Sequence, residues 1–213
     1  MTIQAFQIPM QPVRPRAVLL FLHGVGANEQ AMVPLAQAAP EDCTRIVLRA
    51  PFALSPGAFG WYQTQFTPDG PIINEAQARS SLQSLVESIA SCRAQYPGAP
   101  LFLIGFSQGA ILSLLVSLTS PGSIDGAICF GGRFPGEFVK DIQTPQETAT
   151  PSVLLSHGIE DQVLSVDYAR EAKKLLETHR FKVMYREYRA RHEINPAMRE
   201  DAFAWLDMQI KKA

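Results

Sequence analysis

Leu101-Phe102-Leu103-Ile104-Gly105-Phe106-Ser107-Gln108-Gly109-Ala110-Ile111-Leu112-Ser113-Leu114-Leu115 changes character in its middle. Residues 101–104 form the short continuous apolar run of a strand buried on both faces, and the stretch from Gln108 onward is apolar nearly all round, as a helix packed on a sheet must be. The junction, Gly105-Phe106-Ser107-Gln108-Gly109, matches G-x-S-x-G, a strained strand-to-helix turn that pushes a serine hydroxyl out at the carboxyl end of a sheet. The flanking glycines have a steric reason, because a Cβ at either place would collide with neighbouring backbone. Ser107 is therefore a candidate nucleophile. A plain tight turn with a bystander serine is the competing reading, and the strand-to-helix context favours the first.

Working outward, 213 residues suffice for one domain with a sizeable core, and neither a linker nor a repeat interrupts residues 1–213, which are expected to form a single unit. A formal net charge of -1, with Lys and Arg spread through the chain, gives no basic patch, so neither nucleic acid nor an anionic membrane surface is indicated as a partner. The three cysteines, Cys43, Cys92 and Cys129, lie far apart without C-x-x-C spacing, which argues against a disulfide framework and a zinc site and for small buried residues. The amino terminus lacks a basic start, a long apolar run and a small-residue cleavage site, and no segment approaches the ~18 apolar residues of a membrane span. A cytoplasmic protein without integral membrane association is the expectation.

Along the chain, residues 4–8 read as a short edge strand and 17–22 as the first strand buried on both faces. The latter ends in His23-Gly24-Val25-Gly26-Ala27-Asn28. An H-G-x-G turn after a core strand is where such a scaffold supplies an oxyanion-binding N–H, the other coming from the residue after the nucleophile. The expected donors are the backbones of Val25 and Gln108, with His23 orienting the turn. Residues 29–39 read as one helix and 45–50 as a strand. Residues 52–73 are a long connection rich in Gly, Pro and aromatics, expected to lack regular structure and either to wall the site, with Trp61 and Phe66 as substrate contacts, or to roof the core with its rings. Helix 75–95, strand 126–130 and strand 153–156 follow. The connection 131–151 is too short to hold a sizeable cap domain, so the groove should be open. A helix bearing Tyr168, Ala172, Leu175 and Leu176, a strand at 183–188 near an edge and a helix at 195–210 close the chain. Alternating strands and helices predict an α/β fold with a mostly parallel sheet covered on both faces.

A serine hydroxyl needs a base, and imidazole suits that task near neutrality. His23 and His157 each sit in an H-G turn, and His179 lies at the end of an exposed helix. His192 alone follows the last strand, after both other candidates, as the order Ser…Asp…His requires. The imidazole needs a buried acid to fix its tautomer. Asp161, in the loop after a parallel core strand, is best placed, with Glu160 and Asp167 as competitors.

Leu22-His23-Gly24-Val25-Gly26, Gly105-Phe106-Ser107-Gln108-Gly109, His157-Gly158-Ile159-Glu160-Asp161-Gln162-Val163 and His192-Glu193-Ile194 together resemble the small phospholipase/carboxylesterase group of α/β-hydrolases, which includes acyl-protein thioesterases. The likeness runs from about Val18 to the carboxyl terminus. It implies an α/β-hydrolase fold without a large cap, a Ser107–Asp161–His192 triad, an oxyanion hole at Val25 and Gln108, and substrate contact by Val163. The implied reaction is hydrolysis of carboxylic esters through an acyl-enzyme, with no cofactor and a small ester as partner; a homodimer is left open. Short to medium acyl chains are the expected substrates, with thioesters, lysophospholipids or a low-turnover binding protein as alternatives. Two departures bear on substrate preference: Arg191 stands where the family usually has glycine, and Ala27-Asn28 follow the first glycine turn in place of an aspartate.

Overall fold

The central strands of this chain carry mostly apolar side chains, and each successive side chain points to the opposite face, so these strands feed two cores at once. The computed structural model describes residues 3–8, 12–67, 70–144 and 150–212. In chain order, β1 (Gln4–Gln7) and β2 (Val18–Leu22) are followed by α1 (Val33–Gln37) and β3 (Thr44–Arg49). Four short strands come next: β4 (Phe52–Ser55), β5 (Ala58–Gly60), β6 (Thr64–Thr67) and β7 (Gly70–Ile73). Then come α2 (Glu75–Gln95), β8 (Leu101–Phe106), α3 (Gln108–Thr119), β9 (Gly126–Phe130), β10 (Ser152–Gly158), α4 (Val166–Thr178), β11 (Lys182–Tyr188) and α5 (Pro196–Ile210).

Seven strands form one sheet in the order β1-β3-β2-β8-β9-β10-β11, parallel except for β1, which pairs antiparallel with β3 at the edge. Val18, Leu20 and Leu22 of β2 enter one core with α2, α3 and α4, while Leu19 and Phe21 enter the other with α1 and α5. The same alternation holds in β8, where Leu101 and Leu103 face the first core and Phe102 and Ile104 the second. Helix α3 is buried along its whole length, which explains why its sequence is not amphipathic. Among the described residues no helix is long and apolar enough to cross a membrane. Cys43 and Cys129 are buried and Cys92 is half-buried, all three as free thiols.

The chain runs from β2 to β3 on one side and returns through β8 on the other, so the strand order reverses between β2 and β8. In open parallel sheets the crevice beyond the carboxyl ends at such a reversal is where ligands bind.

Two expectations are corrected. Residues 29–39 are not one helix: a 3-10 turn at Glu29–Met32, begun by the Asn28 side chain accepting from the Gln30 N–H at 2.9 Å, gives way to α1. Pro34 sits in the first turn of α1, where its missing N–H costs nothing, and so marks a new helix start. The 52–73 connection is not irregular either; it folds into two antiparallel hairpins, β4–β5 and β6–β7. Gly57 and Gly70, at φ +77° and +113°, supply the left-handed turn conformations the hairpins need. The connection 131–151 holds one short 3-10 turn among its described residues, Gly136–Asp141, and no domain-sized insertion.

Candidate active site

β8 ends where Ser107 adopts φ 53° and ψ -115°, a conformation that costs a non-glycine residue energy. Close packing enforces it. A Cβ on Gly105 would land on the carbonyl of Gly109, and one on Gly109 would land on the carbonyl of Leu22, so the turn presses α3 against both β8 and β2. The Ser107 N–H is held by the Phe130 carbonyl at 2.9 Å, which ties the turn to β9 as well. The hydroxyl is thereby fixed over the start of α3.

Two further strand ends bring polar groups to the same place. After β11, the His192 Nε2 lies 2.9 Å from Ser107 Oγ, and its Nδ1 lies 2.6 Å from Asp161 Oδ2, after β10. Because an ionised carboxylate only accepts, Nδ1 carries the proton and Nε2 is left to accept from the serine hydroxyl. Asp161 Oδ1 accepts from the backbone N–H groups of Val163 at 2.8 Å and Leu164 at 2.9 Å. Burial disfavours the Asp161 charge, but hydrogen bonds from His157, His192 and the Leu164 backbone outweigh it and hold the carboxyl well below the usual range. The acid is thus ionised at neutral pH.

His157 was passed over as a base, and the structure gives it a different position. Its Nε2 donates to the Leu164 carbonyl at 2.8 Å and lies 3.3 Å from Asp161 Oδ2. It braces the loop that presents the acid. The sequence signal was the i, i+4 spacing of His157 and Asp161 across a tight glycine turn. Gly158 permits that turn, since any Cβ there would strike the carbonyls of Ala190 and Arg191. The competing acids lie elsewhere: Glu160 pairs with Arg189 on the surface, and Asp167 pairs with Arg170 at the start of α4.

The turn after β2 completes the arrangement. A Cβ on Gly24 would stand 3.3 Å from Ser107 Cβ, so this turn abuts the serine directly. Among the described residues, neither the Val25 N–H nor the Gln108 N–H donates to any acceptor, and both residues line a cavity of about 270 Å³ that also touches Ser107 and His192. His23 is buried and doubly bonded: Nδ1 donates to the Gly24 carbonyl at 2.7 Å, and Nε2 accepts from the Ala50 N–H at 3.1 Å. Burial depresses its pKa, so the ring is neutral.

Trp61 is not where a substrate could touch it. It is fully buried, and its indole N–H donates to the His23 carbonyl at 2.8 Å while its backbone N–H donates to Gln108 Oε1 at 2.7 Å. Gln108 Nε2 in turn donates to the Tyr62 carbonyl at 2.7 Å. The glutamine after the serine thus staples the 52–73 connection to the elbow, and Trp61 links that staple to the β2 turn. Of the aromatic residues in the connection, Tyr62 reaches the cavity. The side chain of Phe66, in β6, lies outside the described residues. Val163 lines the cavity and is half exposed at its mouth. Arg191 is exposed and does not line it, and Asn28 caps the turn after β2, so neither departure from the family pattern removes a group from the cavity.

The chain is similar to known proteins over nearly its whole length. Residues 4–210 match the model of the phospholipase/carboxylesterase family. Esterase YpfH of Escherichia coli (strain K12) is 30% identical, over 80% of this chain and 72% of its own length. Acyl-protein thioesterase 1 of Yarrowia lipolytica is 25% identical over 98% of both chains. The crystal structure of esterase PE8 superposes with a TM-score of 0.85 at 24% identity, covering 98% of this chain and 99% of that one.

Proposed function

The chain belongs to the phospholipase/carboxylesterase family of α/β-hydrolases, and within that family we propose that it is a serine esterase acting on small carboxylic esters through an acyl-enzyme. The observation that carries the reading is the continuous line of hydrogen bonds from Ser107 Oγ through the His192 ring to Asp161, at 2.9 and 2.6 Å, beneath two unused backbone N–H groups.

His192 Nε2 takes the hydroxyl proton as Ser107 Oγ attacks the ester carbonyl, and the Val25 and Gln108 N–H groups receive the negative charge that develops on the carbonyl oxygen. The imidazolium then gives its proton to the leaving alkoxide. A water molecule, deprotonated by the same nitrogen, attacks the acyl-enzyme and releases the acid. Asp161, kept ionised by its four donors, stabilises the imidazolium at each stage. The cavity of about 270 Å³ supports short to medium acyl chains over long ones.

Replacement of Ser107 by alanine tests the reading on p-nitrophenyl butyrate. The expected loss is on the order of 10³-fold or more in kcat, with residual rate from the oxyanion donors alone. An unchanged rate overturns the proposal. The similarity to an acyl-protein thioesterase supports a second reading, thioester cleavage by the same residues. Matched oxygen and thio esters of one acyl chain separate the two.

A further inference from the structure

The proposed chemistry leaves one charged group at the cavity wall without a task, Arg133. Arg133 is only 7% exposed, and among the described residues a single guanidinium N–H is accounted for, donating to the Pro71 carbonyl at 3.1 Å. No described carboxylate forms an ion pair with it; a further neighbour is the ring of Tyr168, with the centroid 5.8 Å from Cζ. The Tyr62 hydroxyl, by contrast, is shut off from the cavity.

A guanidinium with donors to spare at the wall of an otherwise apolar cavity is a ready partner for an anion. Its placement ties it to the reaction centre. Gly131, two residues before Arg133, has its Cβ direction 3.4 Å from the His192 ring, and Gly132 is pressed against Ala110 of α3. The rest of the wall nearby is hydrocarbon, from Ile73, Ile111 and Leu164.

We propose that Arg133 binds a carboxylate carried by the substrate, so that the preferred esters are monoesters of short dicarboxylic acids or esters whose alcohol bears a free carboxyl group. A carboxylate is the anion that fits, because its two oxygens match the planar fork of one guanidinium. This rests on the esterase reading of Ser107, and the two can fail separately.

The test compares kcat/KM for mono-p-nitrophenyl glutarate with p-nitrophenyl valerate, and for carboxymethyl butyrate with propyl butyrate, after subtraction of uncatalysed hydrolysis. The wild-type enzyme is expected to favour the charged member of at least one pair by about tenfold or more. Arg133→Met should lower that ratio by at least about tenfold, whatever happens to the neutral rate. A ratio of one or less in both pairs, or a ratio that Arg133→Met leaves intact, overturns the inference. Should Arg133→Met fail to fold, inhibition of valerate-ester hydrolysis by free glutarate and by free valerate replaces it. Stronger competition by glutarate supports the site, and equal or weaker competition overturns it. Failure of the esterase reading shows differently, as neutral-ester turnover that survives Ser107→Ala.

Discussion

Ser107 holds a backbone conformation that only glycine adopts without cost, and it does so because Gly105 and Gly109 let α3, β8 and β2 close on one another. The strain places the hydroxyl 2.9 Å from the imidazole. Ser107→Gly should therefore be more stable than Ser107→Ala by about 1 kcal/mol, since relief of the strained φ exceeds the extra chain entropy glycine has to lose. Equilibrium urea unfolding of the two inactive variants measures the difference. Much at this scale was legible in the sequence: Ser107 directly follows its strand, Asp161 and His192 stand within four residues of the ends of theirs, and a side chain just past a parallel strand has one end of the sheet to occupy. Trp61 was not legible. An aromatic residue in a loop can face the groove or the core, and what decides its direction is the carbonyl of His23, thirty-eight positions away.

The elements around the site are held by side chains as well as by backbone bonds such as Gly26 N–H to the Phe59 carbonyl. The Gln108 side chain carries the largest share, accepting from the Trp61 N–H and donating to the Tyr62 carbonyl. Gln108→Ala keeps the N–H that faces the cavity but leaves two buried backbone groups unsatisfied. It should cost about 2–4 kcal/mol of stability, and it should raise KM as the β6–β7 wall loosens; urea titration and steady-state kinetics read the two effects. The hairpins themselves escaped notice because their strands are three or four residues long and carry proline and glycine, so no period of two can build up. The longer strands and α2 were plain for the opposite reason, as was the edge position of β11. The split of residues 29–39 turns on Pro34, whose missing N–H fits a first helical turn and not a helix interior.

For the molecule as a whole, the two cores share one sheet, and the buried neutral His23 sits between the sheet and the catalytic turn. Burial lowers its pKa from imidazole's ordinary 6.5, with the nearby Glu29 and Arg49 acting in opposite directions. The unfolded chain then binds a proton that the folded chain refuses, in the window below 6.5. Stability due to this group is complete above that value and falls as the pH drops, by up to about 1.4 kcal/mol per pH unit. In His23→Asn, which can still donate to the Gly24 carbonyl, that part of the slope should vanish; unfolding free energies between pH 5 and 7.5 provide the check, and parallel curves for the two proteins would refute it. The placement of the two tryptophans has a further use. Trp61 lies in the core that contains α3, 5.7 Å from the His23 ring, and Trp205 lies in the opposite core on α5. Each layer thus carries its own fluorophore: with Trp205 replaced by phenylalanine, emission reports on the catalytic side alone, and with Trp61 replaced, on the far side alone, so that optical spectroscopy can ask which half of the molecule melts first.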